Sequence, residues 1–122
     1  MGRSKTTLVL GASLKPERYA NMAIRSLRAH GHPVVAVGLR EGVIDDTPVV
    51  KAIPEGSEIH TVTMYLSAAN QATWEKQVMA LRPQRIIFNP GAENPAFAKA
   101  AQAADIETAE ACTLVLLSTG QY

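Results

Sequence analysis

Short apolar runs alternate in this chain with segments of helical period, and few folds accommodate that alternation. Thr6 to Leu10 is apolar and β-branched, and Pro33 to Val37 carries Val-Val-Ala-Val. Between them Ala20, Ala23, Ile24 and Leu27 recur at i, i+3, i+4 and i+7. That stripe predicts a helix over about Tyr19 to His30, stopped by Gly31. A strand that is apolar throughout and lies between helices is buried on both faces, as in a parallel sheet.

The pattern continues after a turn-rich stretch. Gly38 to Ser57 has no helical period and holds Gly42, Asp45, Asp46, Pro48, Pro54 and Gly56, with Pro48-Val49-Val50 as a short third strand. Thr61 to Leu66 reads as a strand, and a helix over about Ala68 to Leu81 buries Trp74, Val78 and Leu81 before Arg82-Pro83 ends it. Arg85 to Phe88 is the next strand and Asn89-Pro90-Gly91 a turn. Asn94 caps a helix from Pro95 to Ala104, with Phe97, Ala100, Ala101 and Ala104 on its inner face. Ile106 to Ala109 is a last short strand, and Cys112 to Leu117 fits a strand or a short helix. The expectation is an α/β, Rossmann-like, doubly wound and mostly parallel sheet of five to six strands, with helices on both faces and right-handed crossovers.

At 122 residues the chain is expected to form one domain over residues 1–122. A net charge of +1 gives no global field for nucleic acid or acidic membranes, and aromatics are only 5%, too few for base stacking. An anion site must therefore be local. The longest apolar run, Leu114 to Leu117, cannot span a bilayer. Met1-Gly2-Arg3-Ser4-Lys5 leads straight into a strand, so no secretion signal is expected. One cysteine, Cys112, permits no internal disulfide, which fits a reducing cytoplasm.

In a doubly wound sheet, ligands lie outside the carboxyl ends of the strands. Four segments converge there: Gly11-Ala12-Ser13, Gly38-Leu39-Arg40, Leu66-Ser67 and Asn89-Pro90-Gly91. The first follows a strand and opens a helix, with the cations Lys15 and Arg18 close behind, which suits a phosphate. It lacks the second and third glycines of the dinucleotide fingerprint. An NAD site also wants an acid at the end of the second strand, to hold the ribose hydroxyls. Arg40 stands near there instead, with Glu41 beyond it, and arginine suits a ribose that carries an extra phosphate. NADP and coenzyme A both fit. Asn89 and Glu93 are polar groups expected to face the same crevice, and Gly91 permits close backbone approach.

Catalytic constellations are not legible. Asp45 and Asp46 lie in a turn-rich loop, and His30, His32 and His60 have no ligand spacing. Ser13 has no base near it in sequence, and there is no G-x-S-x-G. Cys112 precedes an apolar run and reads as a buried structural thiol.

Gly11-Ala12-Ser13-Leu14-Lys15-Pro16-Glu17-Arg18-Tyr19-Ala20-Asn21, with Asn89-Pro90-Gly91-Ala92-Glu93-Asn94 and, more weakly, Cys112, resembles the small single-domain coenzyme A-binding proteins. Those in turn look like the coenzyme A-binding domain of the succinyl-CoA synthetase α subunit. The resemblance covers nearly the whole chain. It implies a Rossmann-like domain that binds coenzyme A or an acyl-CoA without catalysis, with pyrophosphate on the Gly11–Ser13 loop. Lys15, Arg18 and Tyr19 would flank that loop, and Gly38 to Arg40 would meet the adenosine end. The alternative is an NADP- or nucleotide-binding module serving a sensor or an oxidoreductase. Two departures stand out: Ala20 where the family often has glycine, and Leu66-Ser67-Ala68 where it often has arginine. The synthetase's phosphorylated histidine sits on a separate domain, so its activity does not carry over. The expected partners are a small-molecule nucleotide and a second copy of the chain, with no nucleic acid and no membrane.

Overall fold

A computed structural model describes residues 4–122. The reading of Met1-Gly2-Arg3 as free of a secretion signal lies outside the described residues. The strands are β1 (Thr7–Ala12), β2 (Val34–Gly38), β3 (Gly42–Ile44), β4 (Thr47–Val50), β5 (Thr61–Met64), β6 (Arg85–Phe88) and β7 (Glu107–Glu110). The helices are α1 (Tyr19–Ala29), α2 (Ala68–Gln71), α3 (Glu75–Leu81), α4 (Pro95–Ala103) and α5 (Thr113–Ser118). They build one sheet in the order β3-β4-β2-β1-β5-β6-β7, in which only the β3–β4 pair is antiparallel. This is the Rossmann-like architecture expected from the alternation.

The strand count rises from the expected five or six to seven because the turn-rich stretch folds as a hairpin. Asp45, at φ 52°, makes the tight turn, and Pro48 sits opposite Val43 near the sheet edge. Its turn residues mask two strands of four residues or fewer, too short to show a period.

Alternation along the strands divides the core. Leu8, Leu10, Val62, Met64, Ile86 and Phe88 face one way, against Val78 of α3 and Phe97 and Ala101 of α4. Val9, Ala36 and Val49 face the other way, against Ala20, Ile24 and Leu27 of α1 and Leu117 of α5. Helices therefore cover both faces. All four residues of the α1 stripe are buried, each larger one contributing about 1.5–3 kcal/mol.

Three local expectations need correction. The helix expected over Ala68–Leu81 is broken at Ala72–Trp74, where Gln71 turns inward and its amide donates to the Leu66 and Ala92 carbonyls at 2.9 and 2.7 Å. On α4 only Phe97 and Ala101 of the expected face are buried; Ala100 and Ala104 are exposed, and Ala98 packs on the core instead. The ambiguous C-terminal run is helical and buries Leu117, with Cys112 only half-buried at its start. Among the described residues, no helix is long and apolar enough to cross a membrane.

Candidate functional site

The carboxyl ends of β4, β2, β1, β5 and β6 open onto one cleft of about 720 Å³, in the range of small-molecule and cofactor sites. Its floor is the β1–α1 loop. Gly11, at φ +94°, forms an irregularity between Leu10 and Ala12 in the pairing of β1 with β2. A Cβ at Gly11 would stand 3.0 Å from the Tyr65 carbonyl carbon and 3.2 Å from the Leu66 nitrogen. Only glycine lets β1 pass this close to the end of β5. Gly38 is paired with Ala12, and a Cβ there would overlap the Ala12 carbonyl oxygen.

The loop is held from behind. Asn21, buried on α1, donates its amide to the Ser13 carbonyl at 2.9 Å, while its own oxygen accepts from Arg25 at 2.8 Å. The Ser13 hydroxyl accepts from the Lys15 N–H at 3.2 Å, and the Arg18 N–H donates to the Lys15 carbonyl at 3.1 Å. These bonds bring the start of α1 to the cleft, where Arg18 is the N-cap by its backbone, no side chain caps the helix, and its first turn holds no acid. The open donors and the positive end of the helix dipole suit an anion.

Charge in the cleft is one-sided. Lys15, Arg18, Arg40 and Lys51 line it, and no Asp, Glu, His or Cys does. The ion pair formed among the described residues, Arg28 with Asp46 at 2.8 Å, lies outside it. A chain with a net charge of +1 has gathered four cations along one sheet edge, and the sequence neighbours Glu17 and Glu41 are not among the residues that line the cleft.

The sequence-predicted residues divide into two groups. Gly11, Ala12, Ser13, Lys15, Arg18, Tyr19, Gly38, Leu39, Arg40, Leu66 and Pro90 all line the cleft. Ser67, Asn89, Gly91 and Glu93 do not. The expectation that Asn89 faces the crevice is corrected by its bonds. It is 1% exposed; its amide donates to the Thr63 hydroxyl at 2.7 Å and the Met64 carbonyl at 2.9 Å, and its oxygen accepts from the Thr113 N–H at 2.9 Å. Asn89 ties β5, β6 and α5 together. Glu93 likewise turns back and accepts the Gly91 N–H at 2.9 Å.

Lys51, Tyr65 and Trp74 line the cleft and were missed. Lys51 had a signal: it follows Val49-Val50, whose strand runs parallel to β2 and so ends at the same edge. Tyr65 follows β5 with its hydroxyl buried and unpartnered, and burial raises its pKa well above the ordinary value, with Cys112 adding to the shift. Trp74 lies in the break between α2 and α3, as the residue before Glu75.

Comparisons with known proteins agree with this architecture. A protein known from its crystal structure, described as uncharacterized, is 36% identical over 99% of this chain and 100% of that chain, with a TM-score of 0.94. Cell-free ID.343 from Thermus thermophilus is 25% identical over 98% of this chain and 91% of that chain, with a TM-score of 0.85. A hypothetical protein from Pyrococcus horikoshii OT3, 23% identical over 96% of this chain and 84% of that chain, shares the fold with a TM-score of 0.83. No curated protein matches the chain. The model of the CoA binding domain family matches residues 5–118, nearly the whole length, and the chain belongs to that family.

Proposed function

We propose that the protein binds coenzyme A or an acyl-CoA in the cleft without transforming it. The carrying observation is the cluster of four cations, free of carboxylates, around an uncapped helix start at the carboxyl edge of the sheet. Coenzyme A carries a pyrophosphate and a ribose phosphate on one adenosine end, which matches that density of positive charge. In this reading the pyrophosphate lies on Gly11–Ser13 with Lys15 and Arg18 beside it, and Arg40 takes the ribose phosphate. A binding role is supported by the cleft lining: it holds no carboxylate, imidazole or thiol to activate the Ser13 hydroxyl, which accepts from the Lys15 N–H, and burial keeps the Tyr65 hydroxyl protonated.

A micromolar site corresponds to about 8 kcal/mol, and charge-assisted hydrogen bonds contribute roughly 1.5–3 kcal/mol each. Calorimetric titration with coenzyme A, acetyl-CoA, NADPH and ATP tests the reading. Saturable binding of coenzyme A or its thioester, tighter than that of NADPH and ATP, is expected. Absence of heat with both, at high protein concentration, would sink it. Arg40 in place of an acid beside β2 also fits NADP, and tighter binding of NADPH in the same titration would favour that reading.

A further inference from the structure

Charge is segregated along the cleft. Lys51, Arg40, Lys15 and Arg18 stand at the ends of β4, β2 and β1, whereas Leu66, Trp74 and Pro90 stand toward β5 and β6. From β4 to β6 is four strand spacings, about 19 Å at ~4.8 Å each. A ligand lying across all five strands meets positive charge at one end and an apolar wall at the other.

Of the polar side chains behind that apolar wall, Gln71, Asn89, Glu93 and Asn94 are already engaged, and the unpartnered Tyr65 hydroxyl is shut off from the cleft by burial. Gln71 is fully buried; it donates to the Leu66 and Ala92 carbonyls and accepts from Asn94 at 2.9 Å. Asn89 has both amide hydrogens and its oxygen engaged. Glu93 takes the Gly91 N–H, and the Asn94 side chain caps α4 by accepting from Phe97 at 3.1 Å. A carboxylate arriving beside Leu66 and Trp74 would lose water and meet no cation, since the lining cations follow β1, β2 and β4 and the Trp74 indole N–H is a neutral donor, which is unfavourable for a full charge. A hydrocarbon there would gain.

Resting on the coenzyme A reading above, we propose that the β5–β6 end of the cleft is an acyl subsite that selects uncharged, apolar acyl groups over those ending in a carboxylate. Leu66 and Trp74 are its specificity-determining residues. Their apolar surfaces reward chain length, and nothing in the wall they form balances a negative charge.

Butanoyl-CoA and succinyl-CoA have acyl chains of equal carbon count and differ in the terminal carboxylate, so the wild-type protein is titrated with both, and with acetyl-CoA and free coenzyme A. Butanoyl-CoA is expected to bind at least about 3-fold tighter than acetyl-CoA and about 10-fold tighter than succinyl-CoA. Leu66→Arg should narrow the butanoyl-to-succinyl ratio by bringing a cation to the wall. Equal affinity for the two four-carbon thioesters, with free coenzyme A still bound, would overturn the subsite and leave the coenzyme A reading standing. Failure to bind free coenzyme A and all three thioesters would remove that reading and the subsite with it. The wild-type ratio decides the matter even where Leu66→Arg does not fold.

Discussion

A Cβ placed on Gly38 would overlap the carbonyl oxygen of Ala12, so the end of β2 and the floor of the cleft are in backbone contact. No side-chain rotation relieves that overlap, because the obstacle is main chain. Gly38→Ala should therefore push the Gly11–Ser13 loop out of place. The expected cost is about 1–3 kcal/mol of stability together with weaker coenzyme A binding, read by thermal melting and titration. An unchanged melting temperature and affinity would show that the two strand ends are not fixed to each other.

Arg40 sits on an exposed loop, lines the cleft and forms no ion pair among the described residues, which suits a ribose phosphate. Arg40→Ala should weaken coenzyme A about 10-fold, the loss of a charge-assisted contact worth roughly 1.5–3 kcal/mol. Dephospho-coenzyme A, which lacks that phosphate, should be nearly unaffected. Equal losses for both ligands would move Arg40 to another phosphate. No loss for either would leave it a solvated side chain.

Asn89→Ala should act on folding first. The substitution leaves the buried Thr113 N–H without its acceptor and removes the amide that donates to the Thr63 hydroxyl and the Met64 carbonyl. The expected destabilisation is about 3 kcal/mol, from the loss of a buried network, measured by urea unfolding. A variant as stable as the parent that has lost coenzyme A binding would return Asn89 to the ligand.

Stability should fall as the solution is made acid. The Lys5 N–H donates to His32 Nδ1 at 2.9 Å, a bond that only the unprotonated nitrogen can accept. Burial, with Lys5, His30, Arg85 and His60 nearby, lowers the His32 pKa from 6.5. Burial, then Arg85 and Lys5, lowers that of His60 against the opposing effect of Glu107. For both, the unfolded chain binds the proton more readily, so their contribution is complete above the unfolded value of 6.5 and is lost as pH drops below it. Melting curves from about pH 7.5 to about pH 5 should show a falling midpoint, with a shallower slope for His32→Gln. Identical slopes would place the pH dependence elsewhere.

The fold was legible wherever period or apolarity outlasts a few residues. Ala20, Ala23, Ile24 and Leu27 announced α1, and the apolar strands announced a parallel sheet. The β3–β4 hairpin stayed hidden because Gly42, Asp45, Asp46 and Pro48 are turn residues within or between very short strands. In the site, features set by chain direction were readable: the Gly11–Ser13 loop after β1 and the cations that follow strand ends share an edge. Side-chain direction was not readable. Asn89 and Lys51 both follow strand ends, yet Asn89 turns into the core to satisfy the Thr113 N–H, while Lys51 lines the cleft. Trp74 lies in a helix break beside Gln71, whose amide reaches the Ala92 carbonyl 21 residues away in sequence, a contact that no local pattern reveals.

The central claim is that coenzyme A occupies the cationic cleft at the carboxyl edge. Backbone amide spectra of the isotope-labelled protein, recorded while coenzyme A is added, test both binding and place. Saturable shifts at Gly11, Ser13, Tyr19, Ala20, Gly38 and Arg40 are the predicted result. A spectrum that does not change, or shifts confined to the opposite edge around Lys5, His60 and Arg85, would contradict it.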